Sequence, residues 1–257
     1  LGKTILISGG ASGFGRGVAF GLVKLGYDVI IGCQIWPQVT EVRAALAAAN
    51  LNAKVIKLDV LNEIDVKNAT KYDVDILFNN AGIMESGSMV EIPLSVVRSV
   101  FETNVFSALN LAQLFARKMI KKGGGRIIWT SSVAGLVKVP FDGAYAASKH
   151  AVEGICSAMR EELEPYGVQL ITVNPGAFKT GFNDTGMETM DQWWDQGERL
   201  TKHWTIRELT SQYDPQIMID EIISIVQDAN PHYRNVRPKQ VEDMVKEQQS
   251  EVWNLKV

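Results

Sequence analysis

The chain has few of the residues that cross-link or metallate a small protein. Two cysteines, Cys33 and Cys156, and three histidines occur among its 257 residues. Two cysteines exclude a disulfide framework and a cysteine zinc site, and no histidine has metal-ligand spacing, so no metal is expected. Long apolar runs are missing too. None reaches the ~18 residues of a membrane span, and the N-terminus has no signal-peptide layout. A cytoplasmic protein with no membrane partner is the expectation. Leu1 is not an initiator Met, so residues before it are expected. An excess of one charge is also absent: 26 Lys plus Arg against 29 Asp plus Glu leaves −3. That argues against a nucleic-acid partner, which calls for a basic face or stripe.

What is present is an ordinary globular composition. A hydrophobic fraction of 46% with so small a net charge excludes disorder. The length suits a single α/β domain over residues 1–257. Strand-like runs at Lys3–Ser8, Asp28–Cys33, Ala53–Leu58, Val74–Phe78, Arg126–Thr130 and Val168–Val173 alternate with helical stretches. The helices are Gly13–Leu25, Val39–Ala49, Val96–Lys122 with a break near Asn104, and Gly143–Tyr166. Near-continuous apolar strands between helices predict a doubly wound parallel sheet, Rossmann-like, with helices on both faces. After Thr180 strand signals are few. Pro215–Ala229 reads as a helix, and Glu242–Lys256 as a charged, solvated one whose Trp253 is a docking candidate.

The first strand runs into Ser8-Gly9-Gly10-Ala11-Ser12-Gly13-Phe14-Gly15, followed by a helix. Such glycines permit a tight turn and let a ligand reach the backbone. The helix N-terminus then offers free N–H groups to a pyrophosphate. After the second strand, an acidic residue would bind a ribose 2′-OH and an Arg a 2′-phosphate. Gly32-Cys33-Gln34 offers neither. Ser12 is uncharged as well, so NAD and NADP both remain open.

Tyr145 and Lys149 stand four residues apart at the start of a long helix, hence on one face. A phenol ionises near pH ~10, and a nearby ammonium favours the phenolate. Bringing it to about 7 needs roughly 4 kcal/mol of differential stabilisation. A lysine together with a positively charged nicotinamide ring is expected to provide it. Ser131-Ser132 ends one strand, and Asn79-Asn80-Ala81-Gly82 follows the end of another. Ligands of doubly wound sheets bind at the carboxyl ends of the strands. Asn80, Ser132 and the Tyr145 helix should therefore meet the glycine turn in one crevice.

In these motifs the chain resembles the short-chain dehydrogenases/reductases of about 250 residues, over roughly residues 3–180. The turn Ser8–Gly15 is similar to the family's cofactor turn, with Ser8 for the usual Thr and Phe14 for the usual Ile. The resemblance implies that Gly9, Ser12, Gly13, Phe14, Gly15 and Gln34 bind the cofactor. It implies the same for Asp59 and Val60 at the adenine, and for Asn80, Ala81 and Gly82. Pro175, Gly176, Phe178 and Thr180 would flank the nicotinamide amide. Ser132, Tyr145 and Lys149 correspond to the catalytic core, and Asn104 to the residue supporting a proton-relay water. Tyr145 would exchange the substrate's proton, Ser132 orient its oxygen, and Lys149 tune Tyr145 and hold the nicotinamide ribose.

Hydride would then pass between NAD or NADP and a small-molecule secondary alcohol or ketone, in a homodimer or homotetramer. Two departures stand out. The stretch from Asp59 to Val74 is short, implying a trimmed crossover helix, and Phe178 replaces a small aliphatic residue, which would narrow the pocket. Two rival readings are a non-catalytic nicotinamide sensor and a cofactor-free relative like the halohydrin dehalogenases. The retained Tyr145 and Lys149 argue against the sensor, and Lys149 with the intact glycine turn against the dehalogenase-like reading. Residues 181–213 are expected to cover the substrate. Phe182, Met187, Trp193 and Trp194, with Met190 and Trp204, point to a bulky apolar or aromatic ligand. The alternative is that they only pack this segment against the body or another subunit.

Overall fold

The computed structural model describes residues 2–194, 198–201, 211–254 and 256. Seven parallel strands form one sheet in the order β3-β2-β1-β4-β5-β6-β7. They are β1 (Thr4–Ile7), β2 (Asp28–Cys33), β3 (Lys54–Lys57), β4 (Ile76–Asn79), β5 (Gly125–Thr130), β6 (Val168–Pro175) and β7 (Arg234–Arg237). The order reverses between β1 and β4, and crossovers on either side of that point leave a crevice at the strands' carboxyl ends. The doubly wound parallel architecture is as the sequence predicts.

Strand periodicity divides the core. Ile5, Ile7, Val29 and Ile31 face helices α1 (Gly13–Lys24), α2 (Trp36–Ala48) and α8 (Gln216–Gln227). Leu6, Ile30 and Leu77 face α3 (Glu63–Ala69), α5 (Ala108–Lys122) and α6 (Gly143–Leu163). Both faces of the central strands are therefore buried, which explains their unbroken apolar runs. Cys33 and Cys156 are fully buried, and desolvation pushes both thiols up, Cys33 to about 11. That is the behaviour of inert core cysteines.

Several elements differ from the expected ones. The helix around Asn104 does break: α4 (Leu94–Phe101) passes through a π-helical turn, Glu102–Ser107, before α5. Helix α2 starts at Trp36, three residues earlier than expected, because Pro37 suits a first helical turn. Strand β7 was not expected at all. Its sequence, RNVR, has one apolar residue, since it lies at the sheet's edge with a single neighbour. A short helix α7 (Phe182–Glu188) follows β6. Helix α9 (Gln240–Glu251) is not simply solvated: Val245 is buried against Val133, Leu136 and Val137. Among the described residues no helix is long and apolar enough to cross a membrane, and no cluster of metal-ligating side chains occurs.

Candidate active site

A cleft of about 850 Å³ opens at the carboxyl ends of the strands. At one end it is bordered by Gly9, Ser12, Gly13, Phe14, Gln34, Asp59 and Val60, and across the middle by Asn80, Ala81 and Gly82. Ser132, Tyr145, Lys149, Pro175, Gly176, Phe178 and Thr180 follow, with Phe182 and Met187 at the far end. The structure thus brings most of the sequence-predicted residues to one surface.

The glycine turn owes its shape to close backbone approach. Gly9 has φ +64°, and a Cβ on it would lie 2.9 Å from the Cα of Ala81. A Cβ on Gly15 would run into the carbonyl oxygen of Gly9, so Gly15 packs the turn instead of lining the cleft. Ser12 begins α1 without a side-chain cap. The first N–H groups of that helix, which have no intrahelical acceptor, stay available to an anion.

Ser8 and Asn80 tie this turn to the sheet. The Ser8 hydroxyl accepts hydrogen bonds from the backbone N–H groups of Asn80 (3.0 Å) and Ala81 (3.1 Å). The Asn80 amide donates to the carbonyls of Ser8 and Gly9, and its oxygen accepts from the Thr130 hydroxyl. Asn80 therefore couples the ends of β1, β4 and β5. Its side chain is occupied as a strut, although it borders the cleft.

At the adenine end, the loop after β2 carries neither an Asp nor an Arg, and Asp59, which follows β3, is the charged side chain that borders the cleft there. The backbone N–H of Gln34 donates to Gln38 Oε1 at 2.9 Å, and Gln38 also borders the cleft. Arg16 is paired with Glu41 at 2.8 Å.

The catalytic candidates converge. Ser132 caps the short turn after β5, its hydroxyl accepting from Ala134 N–H at 3.1 Å, and it also hydrogen-bonds the Tyr145 phenol. Lys149 Nζ lies 5.6 Å from the centre of the Tyr145 ring and donates to the carbonyl of Thr130 at 2.8 Å. Both side chains are buried. The expected lowering of the phenol needs the lysine and a nicotinamide ring together; the protein's own groups, taken together, act the other way. Burial dominates, pushing Tyr145 up to about 12 against the lowering contribution of Ser132, and pushing Lys149 down to about 8. At neutral pH both groups keep their protons.

Asn104 does not border the cleft. Its amide oxygen accepts from Ile83 N–H at 2.8 Å, and its amide nitrogen donates to Ile83 O (2.8 Å) and Ser148 Oγ (3.0 Å). The π-helical turn widens the helix at this point and presents Asn104 to the 81–83 loop. Asn104 thus ties the 81–83 loop to Ser148 of α6, the residue before Lys149.

Three further expectations change. Phe178 is 1% exposed and its ring packs edge-on against Phe14 at 5.4 Å, so it belongs chiefly to the core while still bordering the cleft. Trp193 and Trp194 do not border the cleft. Their rings stack at 6.0 Å, Trp193 lies against Gly87, and Trp194 Nε1 donates to Glu91 Oε1 at 3.1 Å. They pack the covering segment onto the 86–91 loop, the structural alternative. Met190 is likewise buried, and Trp204 lies outside the described residues. His150 is exposed, with Nδ1 2.9 Å from the carbonyl oxygen of Ala146.

Sequence reading missed several cleft residues. Met84, Glu85, Val137 and Val139 sit in loops with no periodicity, and Met244 and Gln248 come from α9. For α9, the signal was the apolar pair Val241 and Val245, four residues apart on an otherwise charged helix.

Comparison with known proteins agrees with this geometry. A family model described as short chain dehydrogenase matches residues 3–191. The chain is 28% identical over 249 residues to the uncharacterized oxidoreductase YusZ of Bacillus subtilis, covering 91% of this chain and 88% of that protein. It is 33% identical over 192 residues to the uncharacterized oxidoreductase YbbO of Escherichia coli, covering 73% of this chain and 70% of that one. Among solved structures, a short chain dehydrogenase/reductase from Burkholderia phymatum in complex with NAD shares the fold, with a TM-score of 0.82 at 23% identity. That match covers 98% of this chain and 95% of the other. With its seven-stranded parallel sheet and this family match, the chain belongs to the short-chain dehydrogenase/reductase family of oxidoreductases.

Proposed function

We propose that the chain is an NAD(P)-dependent oxidoreductase acting on a secondary alcohol or ketone with an apolar body. The observation that carries the reading is the Ser132–Tyr145–Lys149 group beside an uncapped glycine-turn helix in one cleft. The residues fit a nicotinamide dinucleotide. The close-packed turn at Gly9 leaves no room for a side chain, and the cleft lies within the usual size of about 300–1,000 Å³ for a ligand site.

When bound, the dinucleotide supplies the hydride chemistry, and the protein supplies position and proton handling. The first turn of α1 would hold the pyrophosphate. Gln34, Asp59 and Val60 would border the adenosine, and Pro175–Thr180 the nicotinamide. Lys149 would hold the ribose. Ser132 donates to the substrate oxygen and fixes it against Tyr145. Tyr145, protonated at neutral pH, gives its proton to a carbonyl oxygen, which suits reduction of a ketone. The reverse reaction requires more positive charge near the phenol than Lys149 alone provides.

The apolar body rests on Phe182, whose ring lies 5.9 Å from that of Tyr145, and on Met187, Met84, Val133, Val137 and Val139 around it. It no longer rests on the tryptophans. The uncharged loop after β2 neither repels nor neutralises a 2′-phosphate, so both cofactors should be admitted. The comparisons fit this: neighbours of the same fold are solved in complex with NAD and with NADP. The mouse relative named estradiol 17-beta-dehydrogenase 2, 32% identical over 210 residues, carries a name for action on a bulky apolar alcohol. That match covers 52% of its length.

The test is kcat/KM for bulky aryl ketones, sugars and short polyols with each cofactor. The reading expects the aryl ketones to lead. Equal or better values for the polar set would overturn the apolar body, and turnover of neither set would overturn the oxidoreductase assignment to alcohols and ketones.

A further inference from the structure

Helix α9 is a wall of the substrate end of the cleft. Val245 is buried in a cluster with Val133, Leu136 and Val137, the residues directly after Ser132. Gln249 Nε2 donates to Leu136 O at 3.2 Å. These contacts fix α9 to the segment that carries the serine. Met244 and Gln248 are one helical turn apart and both border the cleft. The side-chain oxygen of Gln248 is buried and has no hydrogen-bond partner among the described residues. Buried acceptors are nearly always satisfied, so one left open at a ligand cleft points to a donor on the ligand. The same cleft carries two more acceptors: Glu85, and Asp142, whose Oδ1 accepts from Ser86 Oγ at 2.6 Å.

We infer that Gln248 is a specificity-determining residue whose side-chain oxygen accepts a hydrogen bond from a hydroxyl or N–H group on the substrate, remote from the reacting carbon. The inference rests on the ketone and alcohol reading above and narrows it. The ligand is an apolar ketone or alcohol with a hydrogen-bond donor on its far side. Met244 contacts the apolar body and Gln248 reads the donor.

The test uses the full chain with a reduced nicotinamide cofactor and three ketones: benzylacetone and its para-hydroxy and para-methoxy derivatives. Each is assayed with the parent, Gln248→Leu and Gln248→Glu, and Gln248→Met replaces the Leu variant if that one does not fold. The parent should favour the hydroxy ketone over benzylacetone by about tenfold in kcat/KM, which is about 1.4 kcal/mol. Gln248→Leu should bring the two within roughly twofold, because the single hydrogen bond that separated them is gone. Gln248→Glu keeps an acceptor and should keep the preference. Equal turnover of all three ketones by the parent overturns the inference alone, as does a preference that survives in Gln248→Leu. A preference for the methoxy ketone also overturns it, since that ligand has only an acceptor and the amide would then be donating. Reduction of none of the three overturns the underlying ketone reading, and this inference with it.

Discussion

The two ends of the cleft are built differently. The end with the glycine turn is made of backbone at the tips of β1, β4 and β5, clamped by Ser8 and Asn80. The far end is assembled from side chains on four separate pieces: the loop from Met84, the 133–142 segment, the stretch from Gly181 to Thr189 and α9. Those pieces are held by a few polar contacts. Glu91 accepts from Trp194 Nε1, from the backbone N–H groups of Leu200 and Thr201, and from the Thr201 hydroxyl. Ser86 N–H donates to Gly186 O at 3.1 Å. Strand tips fixed by a whole sheet suit chemistry that needs constant geometry. Segments hung on a few bonds suit recognition, because they change without disturbing the sheet.

The proton chemistry gives the largest effect. Tyr145→Phe should lower turnover by at least ~10²-fold while cofactor binding stays near normal, because a positioned acid typically contributes 10²–10⁴-fold. Rate and binding measured on one preparation check this. Retention of more than about a tenth of the activity would dissolve the distinction between holding and reacting.

The backbone-built end should be intolerant of added atoms. Gly9→Ala places a Cβ on Ala81 at positive φ, a conformation that costs about 1–3 kcal/mol for a residue other than glycine. Thermal denaturation and a cofactor titration should both show the loss. A variant with unchanged Tm and cofactor affinity would mean that the turn is not as tightly packed as described.

The buried lysine sharpens the comparison from the stability side. Lys149 ionises near 8 in the folded chain and at 10.5 when exposed, so the unfolded chain binds more protons between those values. Its contribution to stability therefore rises with pH from about 8 to 10.5. Below pH 8 the buried ammonium is a liability on the order of 3 kcal/mol, partly offset by its bond to Thr130. Lys149→Met should gain stability over the parent at pH 7, and that gain should shrink above pH 8. Denaturant curves across this range test it, and a gain independent of pH would show that Lys149 is not perturbed by burial. Activity should fall in the same variant.

The smallest effect belongs to the far end. Glu91→Gln removes a charge that the Thr201 hydroxyl and neighbouring N–H groups hold down at about 2. Ketone kcat/KM should drop by a few-fold, on the scale of one or two hydrogen bonds, with cofactor affinity unchanged. An equal loss in cofactor affinity would show that the two ends are coupled.

The same division governs what could be read from the sequence. The sheet's central strands are buried on both faces, so their apolar runs stood out, and glycines forced by close approach marked the turn. Tyr145, Lys149 and Ser132 sit at fixed distances from strand and helix ends, which made their meeting legible. Strand β7 escaped because an edge strand needs little apolar sequence. The tryptophans misled because aromatic content shows burial without showing against what: Trp193 packs on Gly87 and not on a ligand. Gln248 was invisible because its meaning depends on how α9 returns across the sheet, a long-range contact with no local pattern.

The central claim is that the uncapped helix and glycine turn at the strand tips form a nicotinamide dinucleotide site whose loop after β2 is uncharged. Titrating the purified chain with NADH and with NADPH, read by nicotinamide fluorescence, tests it most directly. The account predicts saturable binding of both, with affinities within about 100-fold of each other, or roughly 2.7 kcal/mol. Failure to bind either cofactor would contradict the site itself, and a larger preference would contradict the admission of both by that loop.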